Sequence, residues 1–77
     1  MLALGNKIFA SRLKEIKILR RTTLPKIAEQ LRLQSSVVSW AAGHGEPDIS
    51  YLIRLSKVLD VSVDYLLGIS DEIEIKR

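Results

Sequence analysis

Apolar residues recur at steps of three and four along this chain, and residues suited to capping punctuate each run. Phe9, Leu13, Ile16 and Arg20 stand at i, i+4, i+7 and i+11, which predicts a first helix over about Lys7–Arg20. The Arg20-Arg21 pair suits its carboxyl end, where positive charge is favourable. Ile18 and Leu19 lie off the stripe; they are expected to widen the buried face, a partner contact being the alternative. Thr22 and Thr23 are good caps, and Pro25 is tolerated in a first turn because the amide hydrogen it lacks would have no intrahelical partner. A second helix therefore starts near Leu24.

Ile27, Ala28 and Leu31 form the apolar stripe of that short helix, and Leu33, Val38 and Ala41 are placed to close onto it from a third, over about Gln34–Ala42. Ala28 sits where the two would cross, and its small side chain permits an interaxial distance of roughly 8–10 Å. Steps of three and four then put Ser36, Ser39 and Trp40 opposite Val38 and Ala41, with Gln34 and Ser35 at the exposed start. Two short helices around a tight turn, with small polar side chains outside, are the layout of a helix-turn-helix that reads DNA. Gln34, Ser35, Ser36, Ser39 and Trp40 are the candidate base-reading residues.

Gly43-His44-Gly45-Glu46-Pro47 reads as a loop, after which Asp48 caps a helix whose stripe is Leu52, Leu55, Val58 and Leu59. Ser62 caps a short last helix, Val63–Leu67, with Asp64 in its first turn and Gly68 as its left-handed stop. The prediction is an all-α, compact five-helix bundle: a DNA-binding domain over 1–70 and a carboxyl-terminal tail over 71–77. Ile73 and Ile75 alternate with charges in that tail. It is expected to fray, an edge strand in a dimer being the alternative.

Seventy-seven residues make one domain with one small core, leaving no room for a buried catalytic cavity. Without cysteine there is no disulfide framework or thiolate metal site, and a single histidine cannot build a zinc site. No metal and no cofactor are expected. No stretch approaches the roughly 20 apolar residues of a spanning helix, and the amino terminus has no leader pattern, so a cytoplasmic protein without membrane contact is expected. The net charge of +3 is unevenly spread: residues 1–45 hold eight Lys/Arg against two acids, and residues 46–77 four against seven. The positive half contains the helix-turn-helix, where a polyanion has to dock.

The segment EPDISYLIRLSKVLDVSVDYLLG, with the helix pair before it, resembles the phage repressor and Cro type of helix-turn-helix domain, the Xre family, over about residues 8–70. The resemblance implies a lambda-repressor-like five-helix domain of bacterial or phage origin, acting as a dimer on paired operator half-sites. Four departures from the family pattern matter. Leu24 stands where the family commonly has a phosphate-bracing glutamine, and Lys26 where it has an acid. Arg32 occupies the turn position that the family gives to glycine. One residue is missing between Val37 and Gly43, so matching from helix two puts Trp40 outside, while counting back from Gly43 puts it at the family's buried aromatic position. Ala41 or Ala42 replaces the acid that follows that aromatic, which leaves Lys17 without its expected partner.

Gln34 offers a paired donor and acceptor to adenine, serines bond to several base edges, and no arginine is present for guanine. Arg20, Arg21, Thr22, Thr23, Lys26 and the His44 loop are the candidate phosphate contacts, which position without specifying sequence. Double-stranded DNA and a second copy of the chain are the expected partners, the dimer surface being sought at Tyr65, Ile69, Ile73 and Ile75. The alternative is a degenerate helix-turn-helix that contacts protein through Val37, Trp40, Ala41 and Ala42. Catalysis is not expected: His44 suits a solvent or phosphate contact, and Asp60 and Asp64 suit solvated helix ends.

Overall fold

Side-chain caps fix where three of the helices begin. The computed structural model describes residues 2–75, with side chains from residue 7 onward, and these form α1 Leu2–Leu19, α2 Leu24–Leu31, α3 Ser36–Ala41, α4 Ile49–Leu59 and α5 Val63–Leu67. Residue 1 of the expected domain and residues 76 and 77 of the tail lie outside the described residues. Thr23 Oγ1 accepts from the Lys26 amide at 3.2 Å, Asp48 Oδ1 from Tyr51 at 2.9 Å and Ser62 Oγ from Tyr65 at 3.0 Å. Each bond satisfies an amide that the first turn leaves without a helical acceptor. The first helix starts five positions earlier than the apolar stripe predicts, because Leu2, Ala3 and Leu4 favour helix and carry it past Gly5. No strand occurs among the described residues, and no helix is long and apolar enough to cross a membrane.

Three helices end on left-handed residues that are not glycine. Arg21, Arg32 and Asp60 have φ of 53°, 59° and 51°, and the chain closes behind them through Thr22 N to Lys17 O, Leu33 N to Ala28 O and Val61 N to Ser56 O, at 3.1, 2.8 and 3.0 Å. These bonds satisfy last-turn carbonyls and hold residues whose side chains oppose the conformation. Gly68 ends α5 at φ 81°, and a Cβ there would collide with Ile8 of α1. Here glycine is required for space as well as for backbone angle.

The core draws on every helix: Phe9, Leu13 and Ile16; Ile27, Ala28 and Leu31; Val37, Trp40 and Ala41; Leu55 and Leu59; and Tyr65 and Leu66, with Val61 between the last two helices. Ile18 and Leu19, expected to widen the buried face, are instead 72% and 54% exposed. The narrow stripe suffices, since α1 turns one side to its neighbours and these two residues lie beyond it. The tail also departs from expectation. Its backbone is irregular yet held, with Ser62 N donating to Ile73 O at 2.7 Å and Ser62 Oγ to Glu72 O at 2.8 Å, while Ile73 packs against the core. Arg12 reinforces this by reaching Asp71 at 2.8 Å and lying 4.2 Å from the centroid of Tyr65, whose hydroxyl donates to Glu15 at 2.8 Å. Burial, then that bond to a carboxylate, pushes the Tyr65 phenol above its ordinary range.

The left-handed turn at Arg32 yields a direct expectation. Arg32→Gly removes a side-chain clash of about 1 kcal/mol, which should raise the melting temperature by roughly 4–8 °C in a domain of this size. Thermal denaturation followed by circular dichroism checks it; a fall would show that the arginine side chain stabilises the turn.

Candidate nucleic-acid interface

Between α2 and α3 the chain needs only residues 32–35 to reverse, with Arg32 left-handed and Leu33 half-buried against the core. Ser35 precedes α3 without donating or accepting a side-chain cap, so its hydroxyl stays available at the helix start. The six residues of α3 pack on α1 and α2. Val37, Trp40 and Ala41 point inward, at 0%, 6% and 5% exposure.

That rotation corrects the sequence reading at three positions. Val38, expected in the core, is 52% exposed, and Val37 takes its place. Trp40, a candidate base reader, is buried, with its ring centroid 6.4 Å from Phe9 in an edge-on arrangement at 70° and 6.4 Å from Tyr51 at 53°. An indole removes more apolar surface from water than a valine does, so where the two compete for one inward direction the larger ring wins. Ser36, held half-buried, sits at the border of the outer edge. The solvent-facing edge consists of Gln34, Ser35, Val38, Ser39 and Ala42. Val38 and Ala42 were missed from the sequence, although their spacing from Ser35 and Ser39 carries the signal once Trp40 is turned inward. The protein-contact surface expected from Val37, Trp40, Ala41 and Ala42 is not assembled, since the first three are in the core.

The phosphate candidates also divide. Arg20 is corrected to a structural role: its Nε donates to Leu59 O and its Nη2 to Asp60 O, both at 2.8 Å, so the guanidinium caps the carboxyl end of α4. Arg21, Thr23 and Lys26 are exposed around the start of α2, and Thr22 is half-buried beside them. Pro25 has no amide hydrogen and the Lys26 amide goes to Thr23, so the first turn of α2 offers an anion little besides Leu24 N, the Thr23 hydroxyl hydrogen and the Lys26 ammonium. No acid stands in that turn to oppose a phosphate. At the other end of α3, the His44 amide donates to Ser39 O at 2.8 Å and the Gly43 amide to Trp40 O at 3.0 Å. Their hydrogens cap the helix, which leaves the exposed His44 ring as that residue's contribution. Lys17 makes no ion pair among the described residues.

The resulting surface is a short helix edge of amide, hydroxyl and methyl groups, flanked by cations and free of carboxylates from Gln30 to Gly45. Such an edge suits a groove lined with hydrogen-bonding base edges rather than a reaction centre. Among the described residues no group of three His, Cys, Asp or Glu is placed to hold a metal ion.

Known proteins share this arrangement in sequence. A family model described as Helix-turn-helix matches residues 13–66. The chain is 30% identical over 66 residues to the uncharacterized HTH-type transcriptional regulator YobD of Bacillus subtilis strain 168, covering 84% of this chain and 59% of that protein. It is 36% identical over 67 residues to the uncharacterized HTH-type transcriptional regulator YqaE of the same organism, covering 84% and 58%. The chain thus spans under two thirds of the length of either relative. No solved structure matches.

Burial of Trp40 and exposure of Ser39 make opposite mutational expectations. Trp40→Ala should cost about 3–5 kcal/mol, enough to leave much of so small a domain unfolded, while Ser39→Ala should stay within about 0.5 kcal/mol of the parent. Urea denaturation of both variants measures this, and equal stabilities would contradict the rotation of α3.

Proposed function

The chain belongs to the Xre-type helix-turn-helix family, and on that premise we propose that it is a transcriptional regulator of double-stranded DNA, reading the major groove with α3 and repressing by occupancy. The observation that carries the proposal is the solvent-facing edge of α3, where Gln34, Ser35 and Ser39 stand clear of the core beside the cations of the α1–α2 turn. In this reading Gln34 pairs with adenine, the two serines bond to neighbouring base edges, and Ser36 sits at the margin. Arg21, Thr22, Thr23, Lys26 and His44 grip phosphates and set the register. No reaction is part of the proposal, and its setting is the cytoplasm, where the duplex is.

We further propose a homodimer on half-sites about 34–36 Å apart, since one α3 reads too few base pairs alone. The surface expected for it changes. Tyr65 is buried and Ile73 and Ile75 are half-buried, whereas Ile69 is 72% exposed, with Leu67 and Ile8 each 41% exposed near the end of α5. These three apolar side chains support a pairing face there.

Three measurements test the proposal. Titration of a random duplex at increasing salt should give a slope of log affinity against log salt of about −2 per domain, at about −0.9 for each phosphate that Arg21 and Lys26 neutralise; a flat response would exclude phosphate-anchored binding. Replacing Gln34, Ser35 and Ser39 together by alanine should preserve that random-duplex affinity while abolishing enrichment of any sequence from a random library. Sedimentation at tens of micromolar should show a dimer that Ile69→Asp dissociates, and a monomer in the parent protein would refute the pairing face.

A further inference from the structure

We propose that Val38 is a specificity-determining residue that contacts the C5-methyl group of thymine, making α3 a reader of A·T-rich half-sites. This rests on α3 entering the major groove. Val38 is 52% exposed and lies three and four positions from Ser35 and Ala42 and next to Ser39, at the middle of the polar edge. Its neighbour Val37 fills the core, and Val38 is absent from both the core cluster and the half-buried residues packed on it.

The partner that fits follows from groove chemistry. Base edges in the major groove present donors, acceptors and a single kind of apolar feature, the thymine methyl. A valine there gains from thymine and leaves the amino group of cytosine without a bond. The remaining groups agree with that choice. Gln34 matches the donor and acceptor pattern of adenine, and between Leu33 and Gly43 there is no Lys or Arg to address the paired acceptors of guanine. Adenine through an amide and thymine through a methyl contact are the two halves of an A·T preference.

Deoxyuridine in place of thymidine removes that methyl and nothing else, which makes the test selective. The tightest duplex recovered from a random library is remade with deoxyuridine at one thymidine at a time, and titrated with the parent and with Val38→Ala. Because Val38 is exposed and lies outside the core cluster, circular dichroism of the variant should match the parent. The parent should lose about fourfold in affinity at one or more thymidines, the value of one methyl group removed from water. Val38→Ala should bind the thymidine duplex more weakly and be less sensitive to the exchange at those same positions. Equal sensitivity in the variant, or indifference of the parent at every thymidine, would overturn the role of Val38 while leaving DNA binding intact. Failure of the parent to retain random duplex at low salt would overturn the major-groove reading itself, and the thymine contact with it.

Discussion

Trp40 reaches inward from α3 to meet Phe9 of α1 edge-on and Tyr51 of α4 at a tilt, so a single indole ties three helices together. A helix of six residues makes fewer than two turns and has little grip of its own. Its orientation is therefore set by its largest side chain. With the indole inside, Val37 and Ala41 follow it into the core, and Val38, Ser39 and Ala42 are carried to the outside. Both the hydrophobic interior and the solvent-facing edge are consequences of that one packing choice.

Helices α2, α4 and α5 were legible because their starts are written in side chains that bond locally. Thr23, Asp48 and Ser62 each accept an amide three residues on, an interaction that needs nothing from the rest of the fold. The rotation of α3 was not legible in the same way. Val37, Val38, Trp40 and Ala41 lie so close together that two different inward faces satisfy helical spacing, and only the competition for core volume separates them. Long-range contacts were beyond reach for a related reason. Arg20 looks like a free cation at a helix end, yet its partners are carbonyls of α4, 39 and 40 positions away. The tail reads as a loose end from its charges, but Ser62 and Arg12 hold it from two other elements.

The candidate surface gathers what remains after these structural demands are met. Arg20 closes α4, the Gly43 and His44 amides close α3, and Trp40 fills the core, leaving Gln34, Ser35, Val38 and Ser39 as an edge bounded by Arg21, Thr23 and Lys26. Each withdrawn residue narrows the recognition set to groups with spare bonding capacity. The basic half of the chain and the turn before α2 coincide, so general attraction to a polyanion and fine discrimination would act on one side of the domain.

Two of the three left-handed helix ends are arginines, Arg21 and Arg32, in positions where glycine would relax the backbone. At Arg21, relaxation would also erase a cation next to α2. In the proposed DNA-bound state, heat tolerance and affinity for nucleic acid are thereby set against each other at that one residue.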